Sequence, residues 1–151
     1  MKKKGNYFNF VFKGGIIMKK IILLLMFLMS IMTFSALKDG IYYVEKNHDG
    51  NWKAFAKLTV KGSRIIGVQY DRKNSSGELM TVDQKENEKY KSRFGESFRE
   101  TSFSMTRSLV SSQDVNSVGG VKDSGALSEF KQLVNFLINK ANAGEQGNFK
   151  M

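Results

Sequence analysis

Cysteine and proline are missing from all 151 residues, and histidine and tryptophan occur once each. Without cysteine there is no disulfide, no thiolate metal site, no cysteine nucleophile and no lipid-modified cysteine behind a leader. Stability must come from the core alone. A histidine-based triad or metal cluster would have to use His48, which stands in the polar run Asn47-His48-Asp49-Gly50-Asn51 and reads as a turn residue. No proline punctuates the chain and no internal repeat divides it.

A basic excess is also weaker than it first looks. The formal net charge is +10, but Lys2, Lys3, Lys4, Lys13, Lys19 and Lys20 all precede residue 21. The remainder keeps 18 basic and 14 acidic side chains, a net of +4. That is an ordinary solvated surface, and no stretch gathers lysine and arginine between aromatics, so nucleic acid is not an expected partner.

Met18-Lys19-Lys20 followed by the unbroken apolar run Ile21 to Met29 has the form of a charged n-region and an h-region. Thr33-Phe34-Ser35 supplies small residues at the −3 and −1 positions, which predicts cleavage before Ala36. A transmembrane span would need about 20 apolar residues, and Ser30, Thr33 and Ser35 interrupt this one before Lys38. Residues 1–17 are expected to be a mis-called start: Lys13-Gly14-Gly15 can be encoded by a purine-rich ribosome-binding sequence just ahead of Met18. The expected order is therefore a signal peptide at 18–35, one exported domain at 36–143 and a frayed tail at 144–151. Residues 36–151 number 116, enough for one core and too few for two. The expected location is the periplasm, the cell envelope or the medium.

The exported part opens with three strand signals. Ile41 to Val44 is β-branched and aromatic. Trp52, Ala54, Ala56, Leu58 and Val60 alternate with Lys53, Phe55, Lys57 and Thr59, a period of two that predicts a half-buried strand with Trp52 in the core. Arg64 to Tyr70 follows, with Ile66, Val68 and Tyr70 on one face. Asp49-Gly50 and Gly62-Ser63 are turn chemistry, so the three form an antiparallel meander. The signals then become helical. Asp83 with Glu86, and Ser97 with Glu100, have capping-box spacing, and Gly95 suits a C-terminal cap. Phe98, Met105 and Leu109 recur at helical spacing. Leu127, Phe130, Val134, Leu137 and Ala141 form a stripe widened by Leu133 and Ile138, capped by Asp123 or Ser124 and ended by Asn142 to Gly144. Strands followed by helices predict an α+β fold, with the last helix covering the apolar face of the sheet.

Catalytic chemistry is sparse. No nucleophile has a visible base, and the carboxylates are scattered over strand edges and helix faces. The unusual element is Val118-Gly119-Gly120-Val121-Lys122-Asp123-Ser124, which leads into the final helix. Paired glycines allow close backbone approach to a ligand, and a helix N-terminus favours an anion. Lys122 would add a full positive charge. The competing reading is a tight connection with an ordinary cap. No metal ligand set is evident.

The order of elements resembles the exported FMN-binding domain of membrane-anchored lipoproteins and of flavin-carrying subunits of ion-pumping redox complexes. The resemblance rests on Leu37-Lys38-Asp39-Gly40-Ile41-Tyr42-Tyr43, on the strand Trp52 to Val60, on Arg64 to Asp71, and on Gln113-Asp114-Val115-Asn116-Ser117-Val118 after two helices. It spans about residues 37–141. It implies FMN as cofactor and envelope or membrane redox proteins as partners. The family carries FMN on the threonine of a Ser-Gly-Ala-Thr motif. With the valines in register, Gly119, Gly120, Val121 and Lys122 stand at the four motif positions; a second register uses Ser124-Gly125-Ala126-Leu127. Neither Lys122 nor Leu127 offers a hydroxyl, so covalent flavinylation is not expected. Two expectations follow. One is non-covalent FMN binding with Gly119, Gly120, Lys122 and Ser124 around the phosphate and Trp52 or a tyrosine against the ring. The other is a flavin-free envelope or surface interaction module. Independent catalysis is not expected in either case.

Overall fold

Strand β1, Gly40–Asn47, pairs antiparallel with β2, Lys53–Lys61, and β2 pairs antiparallel with β3, Arg64–Lys73. The computed structural model describes residues 36–151; the readings of 1–17 and 18–35 lie outside the described residues. Both hairpins follow from their turn residues. Gly62 and Ser63 adopt φ of 58° and 59°, the pair of left-handed residues that a two-residue hairpin turn requires. Asp39 steadies the strained Ser63 by accepting a hydrogen bond from its N–H at 3.2 Å.

β2 behaves as its alternation predicts: Ala54, Ala56, Leu58 and Val60 are buried on one face. Trp52 stands just before the strand and is half-buried against the core rather than enclosed in it. β3 departs from the expected phase. A bulge shifts the pairing, so that Thr59 faces Gly67 while Val60 faces Ile65. Ile65 therefore turns into the core at 2 % exposure and Ile66 turns out at 53 %. One extra residue in a strand reverses the side of what lies beyond it.

After β3 the chain folds back along the strand. Met80 N–H donates to Arg72 O at 2.7 Å, and the buried Asp71 carboxylate accepts from both Thr81 N–H and Thr81 Oγ1. Three helices follow: α1, Gln84–Phe94; α2, Phe98–Ser112; and α3, Ser124–Ala143. Their ends match the capping signals. Asp83 accepts from Glu86 N–H, Gly95 closes α1 in the left-handed region, and Ser97 and Glu100 form the full reciprocal box at α2. Gln113, also left-handed, ends α2 and grips the bulged end of β3: its side chain accepts from Ile65 N–H and donates to Ile65 O. A 3₁₀ turn, Val115–Ser117, leads through Val118 to α3.

The core lies between the sheet and the helices. Tyr42, Val44, Leu58 and Tyr70 from the strands meet Phe98, Met105 and Leu109 of α2 and Phe130, Leu133, Val134 and Leu137 of α3. The Tyr70 ring is held between Phe98 and Phe130, with centroids 5.7 and 5.4 Å away. This is the expected α+β arrangement.

The tail read as frayed is instead a fourth strand. β4, Gly147–Lys150, pairs parallel with β1, giving the sheet order β3-β2-β1-β4. Gly144 caps α3 in the left-handed conformation and turns the chain back. Phe149 then packs edge-on against Phe136 of α3 at 5.5 Å. Four residues of which three are polar or flexible carry almost no strand signal of their own; tertiary packing makes the strand. Ala36–Met151 form one compact unit with its own core.

Candidate functional site

Three elements converge on one carboxylate. Glu129, on the first turns of α3, accepts hydrogen bonds from Tyr70 Oη at 2.5 Å and Arg72 Nε at 3.0 Å, both on β3, and contacts His48 Nδ1 at the end of β1 at 2.5 Å. The placement follows from periodicity. Tyr70 and Arg72 are two apart on a strand and share its core face, and Glu129 lies beside the inward-facing Phe130. The Arg72 side chain is 7 % exposed and that of Glu129 12 %. The guanidinium also lies over the Phe98 ring at 4.7 Å.

The electrostatics agree across the cluster. Burial alone would raise the Glu129 carboxyl. The hydrogen bond with His48, the Arg72 charge and the Tyr70 hydroxyl outweigh it and hold the group at about 2. Arg72 moves the opposite way. Burial disfavours its charge, yet the neighbouring Tyr70 and Glu129 raise it. Burial, opposed by the Arg72 charge and joined by Glu129, pushes the Tyr70 hydroxyl well up, which keeps it a donor. A second pair lies nearby: Tyr90 Oη donates to Asp123 at 2.6 Å, and burial followed by this hydrogen bond pushes the Tyr90 hydroxyl well above its ordinary value, which keeps it a donor.

A cleft of about 450 Å³ opens over this cluster. The β1–β2 turn gives His48 and Asp49, β3 gives Arg72, α1 gives Lys89, Tyr90, Arg93 and Phe94, and the start of α3 gives Gly125 and Ala126. Lys89 is paired with Glu86 at 2.6 Å. Arg93 lies over the Phe94 ring at 5.0 Å and has no carboxylate partner among the described residues.

The residues expected to hold a cofactor lie beside this cleft, not in its wall. Gly119 and Gly120 are exposed in the loop before α3, and Ser124 is the exposed first residue of the helix. Lys122 is exposed, and its ammonium rests against Gly95, 3.2 Å from where a Cβ there would stand. Its backbone N–H donates to Glu96 at 2.8 Å. The N-terminus of α3 is already served, because the Asp123 side chain accepts from Gly125 and Ala126 N–H at 2.8 and 3.1 Å. None of the four lines the cleft.

Sequence reasoning passed over His48, Arg72, Arg93 and Glu129. His48 reads as a turn residue and does sit beside one, yet its ring reaches α3, 81 positions away. One signal was available: Arg72 continues the buried-face alternation Tyr70, Arg72, so a charge on a core face calls for a partner.

No protein-family model matches the chain, and no curated protein matches it. Among solved structures, it is similar to the crystal structure of the CPE2226 protein from Clostridium perfringens: TM-score 0.71, 23 % identity, covering 76 % of this chain and 97 % of that one. A solution structure of a protein from Clostridium thermocellum aligns with TM-score 0.46 and 22 % identity over 70 % of this chain and 92 % of that one. The first likeness establishes that the α+β arrangement recurs in another protein, at the level of fold alone.

Proposed function

We propose that this domain is a binding module that takes FMN without a covalent bond and serves as an accessory to envelope or membrane redox proteins. The observation that carries the reading is the position of the cleft. It opens at the start of α3, immediately after the residues that stand where the FMN-binding family has its attachment motif, and it joins arginine and lysine to the rings of Tyr90 and Phe94. A phosphate-bearing aromatic ligand needs both kinds of group. With the N-terminal donors of α3 taken by Asp123, the phosphate falls to side chains, and Arg93 is the cation free to receive it. A guanidinium–phosphate contact is charge-assisted and frequently bidentate. Neither Lys122 nor Leu127 supports the phosphoester linkage of the resembled family.

One observation favours the second reading, a flavin-free interaction module. Three backbone donors at the loop and helix start are occupied, Lys122 N–H by Glu96 and the Gly125 and Ala126 N–H groups by Asp123. A titration of the protein with FMN, read by flavin fluorescence, separates the two. Saturable micromolar binding that weakens about tenfold in Arg93→Ala, equal to about 1.4 kcal/mol, and little in Lys122→Ala supports the cleft. The reverse pattern moves the phosphate to the loop. No binding at millimolar FMN leaves the flavin-free module.

A further inference from the structure

Helices α2 and α3 cover one face of the sheet, with α1 packed on α2, and the other face is open. Alternation assigns Ile41, Tyr43 and Glu45 of β1, Lys53, Phe55, Lys57, Thr59 and Lys61 of β2, and Gly67, Gln69, Asp71 and Lys73 of β3 to that open side. The bulge adds Ile66 and Arg64. This face is basic. Its acids are already engaged: Asp71 is buried under Thr81, and Glu45 is bonded by Lys73 at 2.9 Å. Lys57, Lys61 and Arg64 are exposed and have no carboxylate partner within ion-pair distance among the described residues.

The apolar part of the face lies among these cations. Ile41 is 54 % and Ile66 53 % exposed. Ile41 pairs with Thr59, which pairs with Gly67 beside Ile66. Strands lie about 4.8 Å apart, so the two isoleucines stand about 10 Å from one another. Lys57 flanks that row on one side, and Lys61 and Arg64 flank it on the other. The rings on the face are withdrawn. Phe55 is 6 % exposed and stacked on Tyr43, and the Lys73 ammonium lies near both rings.

We infer that this open sheet face docks on an anionic lipid surface, with Ile41 and Ile66 entering the headgroup boundary and Lys57, Lys61 and Arg64 facing the lipid charge. The charge pattern is complementary to an anionic surface. The apolar side chains on offer are aliphatic, which suits lipid. A single-stranded nucleic acid would want open ring faces for its bases to stack on, and Phe55 and Tyr43 do not present them. The site lies across the sheet from the cleft, so it stands or falls independently of flavin binding.

The test uses residues 36–151, the compact unit with its own core, in sedimentation with vesicles. The expected result is binding to vesicles of phosphatidylglycerol and phosphatidylcholine that weakens as salt rises, with none to pure phosphatidylcholine. Lys57→Glu/Lys61→Glu/Arg64→Glu should lower affinity at least about tenfold. Ile41→Ser/Ile66→Ser should weaken binding and leave its salt dependence in place. A control with the same charge change on the helical side, Lys85→Glu/Lys91→Glu/Arg107→Glu, should bind nearly as the parent does. Melting curves of each variant exclude loss of the fold as the cause. Equal loss in the control overturns the inference, because net charge rather than this face would then be responsible. Equal binding to neutral vesicles overturns it too, as does tighter binding to a single-stranded oligonucleotide than to the anionic vesicles.

Discussion

Replacing Glu129 by alanine should cost about 3–5 kcal/mol, because it strands a buried charge. The Arg72 side chain is 7 % exposed and would keep the Phe98 ring and lose its carboxylate. Tyr70 Oη would lose its acceptor as well. Linkage gives a magnitude of the same order: holding Glu129 at about 2 against an ordinary 4.5 corresponds to about 3 kcal/mol. A domain of this size has about 5–15 kcal/mol in total. Thermal unfolding followed by circular dichroism should show a fall of about 12 °C or more, at about 4 °C per kcal/mol. The sign with pH is fixed by the lowered carboxyl. The contribution is fully present above the unfolded value near 4.5 and fades as pH falls toward about 2. Glu129→Ala should therefore differ most from the parent above pH 4.5 and converge on it in acid. Removing the whole cluster, as Tyr70→Phe/Arg72→Met/Glu129→Leu, should recover at least half of the loss, since an apolar set leaves no orphan charge. A single-mutant cost below about 1 kcal/mol would refute the reasoning. So would a triple variant as unstable as Glu129→Ala, because packing rather than charge would then be at fault.

The bulge in β3 makes Ile65→Ala cost about 2–4 kcal/mol and Ile66→Ala almost nothing in a denaturant titration; equal costs would contradict the register. Ending the chain after Gly144 removes β4 and uncovers Phe136, so a lower melting temperature and faster amide exchange along β1 are expected, whereas an unchanged melt would return the tail to a frayed state. Burial raises the Asp71 carboxyl against the hydrogen bonds from Thr81 and Arg72 N–H. Its neutral isostere Asp71→Asn should accordingly be milder than Asp71→Ala, which orphans the N–H groups of Arg72 and Thr81 at about 1–3 kcal/mol. Ser97→Ala breaks the reciprocal cap of α2 and should cost about 1 kcal/mol in the same titration.

Local chemistry made most of the fold legible. Gly62-Ser63 marked its hairpin, Asp83, Ser97 and Asp123 marked three helix starts, and the Leu127 to Ala141 stripe marked the helix that covers the sheet. The misses have one cause, long-range context. Nothing local announces that β3 takes an extra residue at Ile66, because the bulge is set by pairing with β2 and by the grip of Gln113. Nothing local makes Gly147–Lys150 a strand without Phe136 to pack on. The site was less legible still. A turn histidine, a strand arginine and a helix glutamate look like surface residues until the topology brings them within hydrogen-bond reach. The glycine loop drew notice for a feature it has, a flexible approach to a helix start, where Glu96 takes the Lys122 N–H and Asp123 takes the Gly125 and Ala126 N–H groups.

The most direct test of the cleft as a flavin site is a titration of the isotope-labelled protein with FMN, followed by backbone amide shifts. The account predicts saturable changes at His48, Lys89, Arg93 and Ala126, which line the cleft, and only small ones at Gly119 and Gly120. Changes confined to Gly119 to Lys122, or none at millimolar FMN, would contradict it.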